Sequence, residues 1–185
     1  MKRFLKIWQG LKFWWNATNQ HGIHSPFVFN LITHCLYDKT PVETYELLAN
    51  TRINNKSFKL LIKILSYFQF EKIESCEGLC PNTKSILKIN HRPLKHQAQF
   101  PLKQLFYYDQ LQTENLQRIF KLAAIADSDV VVFVRNIRAS NMAYKNWLAL
   151  INNPKVKVSI DVYYVGLLFF RKEQAKEHFC IRPKL

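Results

Sequence analysis

Residues 154–171 read PKVKVSIDVYYVGLLFFR, and the way this stretch divides decides the fold. Val156, Val158, Ile160 and Val162 alternate with Lys157, Ser159 and Asp161, the period of two that marks a β-strand. Gly166 to Arg171 adds a further strand. Val162 to Phe170 is the longest apolar run in the chain, about half of the ~20 residues a helix needs to cross a bilayer. It is therefore read as a core strand or a pair of strands, and not as a membrane span.

Working outward toward the N-terminus, Met142 to Ile151 has helical spacing, and VVVFV (Val130–Val134) is a strand buried on both faces. Leu116, Ile119, Phe120 and Ala123 mark another helix, and LFYY (Leu105–Tyr108) is a compact apolar run ending at Asp109. Strand, helix, strand, helix, strand, strand predicts an α/β domain whose parallel strands are joined by right-handed crossovers, with an antiparallel last strand. In the first half, Phe58, Leu61, Ile62, Leu65 and Phe68 keep helical spacing, and a short strand is expected at Lys72–Cys76. Residues 78–103, with Pro81, Pro93 and Pro101, read mostly as loop around one helix at Lys84–Ile89.

The stretch NQHGIHSPFVFNL (residues 19–31) poses its own question, because two histidines flank its glycine. Ser25 is a good N-cap and Pro26 suits the first helical position, where its missing N–H would have no partner anyway. A helix is expected from Phe27 to Leu36, with Gly22 in the turn before it. His21 and His24 are then loop residues, since a metal role would need ligands from elsewhere in the fold. Before this, MKRFLKIWQGLKFWWN sets Phe4, Ile7, Trp8, Leu11, Trp14 and Trp15 on one helical face, opposite Lys2, Arg3, Lys6 and Gln9. Such a helix either packs its aromatic face on its own domain or lies on an anionic membrane surface. Thr40-Pro41 interrupts the pattern, and Pro41–Thr51 reads as a short helix or linker. The division that follows is an N-terminal helical extension at 1–50 and an α/β domain at 51–185.

With 185 residues and 48% hydrophobic content, the chain suffices for one domain with a substantial core. Its 27 Lys and Arg against 13 Asp and Glu give a formal charge of +14, which favours anionic partners such as nucleic acid or a membrane surface. Four cysteines (Cys35, Cys76, Cys80, Cys180) are too few for a disulfide scaffold, and no secretory segment precedes them; they are expected to be reduced and the protein cytoplasmic. The four glycines (Gly10, Gly22, Gly78, Gly166) are too scattered to write a G-x-G-x-x-G fingerprint or a P-loop.

Cys76, Cys80, His91 and His96 read C-x3-C-x10-H-x4-H, close to a zinc-finger ligand spacing but with a short central gap and without the supporting aromatic and leucine. The competing reading, a thiol pair beside exposed histidines, is preferred, so no metal site is assigned. Ligands of parallel sheets sit beyond the carboxyl ends of the strands. Asp109 stands at such an end, and the VVVFV strand ends in Arg135 and Asn136, with Arg138 close behind. Those two arginines are candidate anion-binding residues.

NQHGIHSPFVFNLITHCLYDKT near the N-terminus and PKVKVSIDVYYVGLLFFRKEQAKEHFCIR near the C-terminus resemble the two ends of a bacterial group of class I S-adenosylmethionine-dependent methyltransferase-like proteins. Between them, LLIKILSYFQ resembles the helix leading into that fold, and LFYYD its fourth strand with an acidic tip. The resemblance implies a reduced Rossmann-like methyltransferase sheet with S-adenosylmethionine as cofactor. Glu77, Gly78 and Asp109 are its candidate cofactor-binding residues. Two alignments stand open. One sets CEGLCPNT at the end of the second strand, with Glu77 as ribose carboxylate; the other sets IESCEG on the first strand, with Gly78 the remnant of the glycine loop. Where the family tends to show Asp-Gly-Asn-His and Asp-Asp-Ile-His after its fourth and fifth strands, this chain has Asp109-Gln110-Leu111-Gln112 and Arg135-Asn136-Ile137-Arg138. Losing these acid, base and metal-binding groups implies a degenerate methyltransferase without catalytic residues. The alternatives are an active methyltransferase on an unknown acceptor, or a basic binding module for nucleic acid, anionic lipid or a protein partner, with residues 1–16 peripheral to the membrane.

Overall fold

The computed structural model describes residues 10–11, 13–18, 23–40, 56–76, 79, 81–90 and 103–182. Glu77, Gly78, Cys80, His21, Gly22, His91, His96 and the segment 41–50 lie outside the described residues. Seven strands form one sheet: β1 (Ala17–Thr18), β2 (Lys72–Ser75), β3 (Gln104–Tyr108), β4 (Val130–Arg135), β5 (Val158–Asp161), β6 (Val165–Phe169) and β7 (Glu177–Ile181). Their order is β1-β7-β5-β6-β4-β3-β2. All neighbours run parallel except at β6, which is antiparallel to β4 and β5. The expected α/β, mostly parallel sheet is therefore present.

One expectation is corrected. The strand read from Gly166 onward is antiparallel, but it is not the last: β7 follows it and pairs parallel with β5. Local sequence hid β7 because KEQAKEH carries the charge of a loop, and only its pairing with β5 on one side and β1 on the other makes it a strand.

Helices α1 (Pro26–Leu31, continued by a π-helical turn, Ile32–Leu36), α2 (Lys56–Phe68) and α3 (Pro81–Asn90) cover one face. Helices α4 (Thr113–Ile125) and α5 (Asn141–Asn152) cover the other. The strand alternation sorts the side chains accordingly. Tyr107, Phe133, Ile160 and Leu167 point into the first layer, and Val132, Val134 and Leu168 into the second. Burial on both faces is why β4, β5 and β6 are buried at nearly every position.

Capping follows the expected chemistry. Ser25 precedes Pro26, its hydroxyl accepts from the Val28 N–H at 3.3 Å, and it donates to Gln174 Oε1 at 2.7 Å. The α1 start is thus tied to the β6–β7 connection. Two residues further along the same connection, Lys176 donates to the carbonyls of Ile151, Asn153 and Val156 at 2.8, 2.6 and 3.2 Å. A cation satisfying the terminal carbonyls of α5 also opposes the helix dipole, and it sets the approach of β7 to that helix.

The N-terminal helical residues turn a face to the domain other than the expected one. Phe13 is 5% exposed and packs on Tyr163, whereas Leu11, Trp14 and Trp15 are 63%, 60% and 91% exposed. Among the described residues no helix is long and apolar enough to cross a membrane.

Gly166 is a point of close packing in the core. A Cβ there would lie 2.4 to 2.9 Å from the indole ring of Trp147, which is fully buried, so one of the two must shift. Gly166→Ala is expected to lose about 1–3 kcal/mol through overpacking, read as a lowered urea midpoint at unchanged slope. A variant as stable as the parent would show that α5 can shift on the sheet.

Candidate functional site

Two polar clusters occupy the carboxyl ends of the strands, one on each face of the sheet. On the α1–α3 face, Asp109 follows β3 and Arg135 ends β4, adjacent parallel strands that bring the two tips together. Asp109 Oδ1 accepts from the Tyr107 hydroxyl at 2.8 Å and lies 3.2 Å from Arg135 Nη1. The Asn136 amide donates to the Asp109 carbonyl at 3.1 Å, from a backbone at φ 58 that Asn tolerates. The Arg135 guanidinium lies 4.6 Å over the Phe58 ring. Burial raises the Tyr107 phenol well above its ordinary range, which keeps it a proton donor to Asp109. The expected cofactor-side carboxylate and the first expected anion-binding arginine are thus joined to each other.

On the α4–α5 face, Ser159 and Asp161 turn away from the core that takes Val158 and Ile160. Asp161 is 2% exposed. Arg138 grips it with two bonds, Nη1 to Oδ1 at 2.7 Å and Nη2 to Oδ2 at 2.5 Å, and Nη1 also donates to the Tyr163 carbonyl at 2.9 Å. The Tyr163 N–H returns to Asp161 Oδ1 at 2.8 Å. This matters because Tyr163 holds φ 71, a conformation a bulky residue adopts only when its surroundings over-determine it. The rings of Phe13, Tyr144 and Tyr163 lie 5.4, 4.9 and 5.0 Å from the guanidinium. The second expected anion-binding arginine therefore holds the carboxylate of its own chain.

Beside this pair, β7 presents His178 and Cys180, two residues apart and hence on one strand face. The register sets Ser159 opposite His178 and Asp161 opposite Cys180. His178 Nδ1 is 2.9 Å from Ser159 Oγ, and its Nε2 is 3.7 Å from Cys180 Sγ. Ligand atoms of Asp161, His178 and Cys180 all lie within 4.8 Å of one another. Desolvation lowers the His178 pKa, so the ring is held neutral; it pushes the Cys180 thiol up to about 11, with the Asp161 charge adding to the effect. All three residues line a cavity of about 470 Å³, together with Phe13, Trp147 and Arg138. The Trp147 indole N–H is buried with no hydrogen-bond partner.

Sequence reasoning found Asp109, Arg135 and Arg138 but missed Asp161, His178 and Cys180. One signal was available: Asp161 ends an alternating strand just as Asp109 ends its own. His178-x-Cys180 carried none until β7 was known to be a strand. Of the zinc-like spacing, Cys76 alone is described; it is free, as are Cys35 and Cys180. No protein-family model, curated protein or solved structure matches this chain.

Breaking a buried ion pair strands a charge and typically costs about 3–5 kcal/mol. Arg138→Met is expected to lose stability in that range by urea denaturation. Arg138→Lys should fall between, because an ammonium cannot make the two parallel bonds. A loss below about 1 kcal/mol for Arg138→Met would mean that Asp161 finds another counter-charge.

Proposed function

We propose that this chain is a shortened class I S-adenosylmethionine-dependent methyltransferase-like protein that no longer binds the cofactor and serves as a non-catalytic binding protein on that reduced Rossmann-like scaffold. The observation that carries the reading is the direct pairing of β2 with β3 through one crossover. In the doubly wound order 3-2-1-4-5-6, the strand beside the fourth is the first. If β3 is the fourth strand, as its LFYYD sequence implies, β2 is the first. This favours the alignment that puts IESCEG on the first strand, with Gly78 the remnant of the loop.

The consequence is chemical. The ribose of the cofactor requires a carboxylate on the second strand, and the sequence between α3 and β3, residues 91–103, contains no Asp or Glu. A strand–helix–strand unit takes about 30 residues, and only residues 91–103 separate α3 from β3. On that alignment Glu77 follows the first strand in sequence and not the second, whose carboxylate the ribose requires. The remaining carboxylate of that rim, Asp109, is engaged by Tyr107 and Arg135. Both considerations support the loss of methyl transfer.

A ligand present at a hundred times its Kd stabilises a protein by about 2.7 kcal/mol. Millimolar S-adenosylmethionine is therefore expected to leave the melting temperature unmoved and to give no calorimetric heat. A saturable heat with a matching upward shift would restore the enzyme reading.

A second observation favours one kind of partner. Leu11, Trp14 and Trp15 stand exposed on a helical segment of a chain with charge +14, and Arg182 lies 4.4 Å over the Trp14 ring while donating to its carbonyl. Exposed tryptophans beside cations suit the headgroup layer of an anionic membrane. Sedimentation with phosphatidylserine vesicles at low salt is expected to carry the protein down. Trp14→Ser with Trp15→Ser should weaken this at least about tenfold, the equivalent of 1.4 kcal/mol of lost burial. Equal sedimentation of parent and variant, or none of either, would dismiss the membrane role.

A further inference from the structure

The geometry points to a transition-metal site of the zinc class on the α5 face, with Cys180 Sγ, His178 Nε2 and Asp161 Oδ2 as ligands and a fourth position open to the 470 Å³ cavity. This inference is independent of the scaffold's ancestry. It rests on three separate features of the cluster.

The first is spacing. A tetrahedral zinc with its sulfur at about 2.3 Å and its imidazole nitrogen at about 2.0–2.1 Å holds those two atoms about 3.6 Å apart. Cys180 Sγ and His178 Nε2 are 3.7 Å apart without any ion between them. They come from alternate residues of one strand, so the backbone sets both side chains on the same face. The carboxylate oxygen, within 4.8 Å of both, has to close by up to about 1.2–1.4 Å to complete the set.

The second is orientation of the donors. A metal-binding histidine usually donates its other ring N–H to a fixed acceptor, which sets the tautomer and frees the ligating nitrogen. Ser159 Oγ stands at 2.9 Å from Nδ1 in that role. When Nδ1 carries the proton, Nε2 presents its lone pair toward Cys180 and Asp161. A carboxylate has about four acceptor positions on its two oxygens. Oδ1 of Asp161 uses two, for Arg138 Nη1 and the Tyr163 N–H, whereas Oδ2 takes only Arg138 Nη2. One lone pair of Oδ2 is therefore left, and Arg138 acts as the outer partner that holds the carboxylate in place.

The third is the surroundings. Sulfur, imidazole and carboxylate together suit zinc or its cobalt substitute better than calcium or magnesium, which prefer oxygen alone. Three protein ligands leave the fourth position to water or to a ligand from the cavity. Trp147, whose buried indole N–H has no hydrogen-bond partner, lines the same cavity. Binding replaces the Cys180 S–H proton: the thiolate sulfur bonds to the metal and one proton passes to solvent.

The test is titration of the full chain with Co²⁺ and then Zn²⁺ after chelator treatment. Expected are one equivalent bound, a near-ultraviolet thiolate-to-cobalt charge-transfer band, release of one proton, and displacement of cobalt by zinc. Cys180→Ser should abolish the band, and Ser159→Ala, which alters only the outer partner, should weaken affinity about 10–100-fold. The Cys76→Ser, Cys80→Ser double variant should keep both band and stoichiometry. A band that survives Cys180→Ser, or that vanishes in the double variant, would move the metal elsewhere and overturn the assignment. Absence of any band at one equivalent would leave only a thiol–imidazole hydrogen bond and would overturn it as well.

Discussion

The doubly hydrogen-bonded pair of Arg138 and Asp161 is the constraint on which this end of the molecule depends. Two charges withdrawn from water cost several kcal/mol each, and that cost is offset only when geometry is good and the remaining lone pairs are satisfied. Here two parallel bonds, a third from Arg138 to the Tyr163 carbonyl and a return bond from the Tyr163 N–H meet that requirement. The pair joins the loop after β4 to the end of β5, holds Tyr163 in its positive-φ conformation, and gathers the Phe13, Tyr144 and Tyr163 rings around the guanidinium. The N-terminal segment, α5 and the β5–β6 turn therefore share a single anchor, and the cavity lies beside it.

The two strand-end clusters differ in what they leave free. On the α1–α3 face, Asp109 and Arg135 meet each other, with Tyr107 below and Phe58 against the guanidinium. That arrangement spends its charges on the fold. On the α4–α5 face, Arg138 and Asp161 are likewise matched, but β7 adds a neutral imidazole and a thiol whose functional atoms point at one another across the cavity wall. These two groups lie on β7, beside β5 and next to the β1 edge of the sheet. Near the same edge, exposed Trp14 and Trp15 flank the buried Phe13 that packs beside Arg138.

Residues that report on burial through their own neighbours were legible. Val130–Val134 read as a strand buried on both faces because every position is apolar, and it is buried on both. Ser25-Pro26 read as a helix start because the cap needs only residues three positions away. Helix α2 was legible from its apolar spacing, and it buries Phe58, Leu61, Ile62 and Leu65. Asp109, Arg135 and Arg138 were legible as strand-end residues, yet nothing local said that each would meet a partner from another element. Phe13 lies off the helical face that the spacing picks out and is the residue that packs, because Tyr163 and Arg138, distant in sequence, form its seat.

The amino-acid sequence alone determined the class of fold, the central strands, the helix start at Ser25 and the positive charge, since periodicity, capping and composition are local or additive properties. Tertiary structure decided the rest. β1 has two residues and β7 has a charged approach, so each is a strand only by virtue of the hydrogen bonds its neighbour supplies. The same parallel register of β5 and β7 brings Ser159 to His178 and Asp161 to Cys180. Which side chains meet is set by register between strands far apart in the chain, and no periodicity within either strand encodes that register.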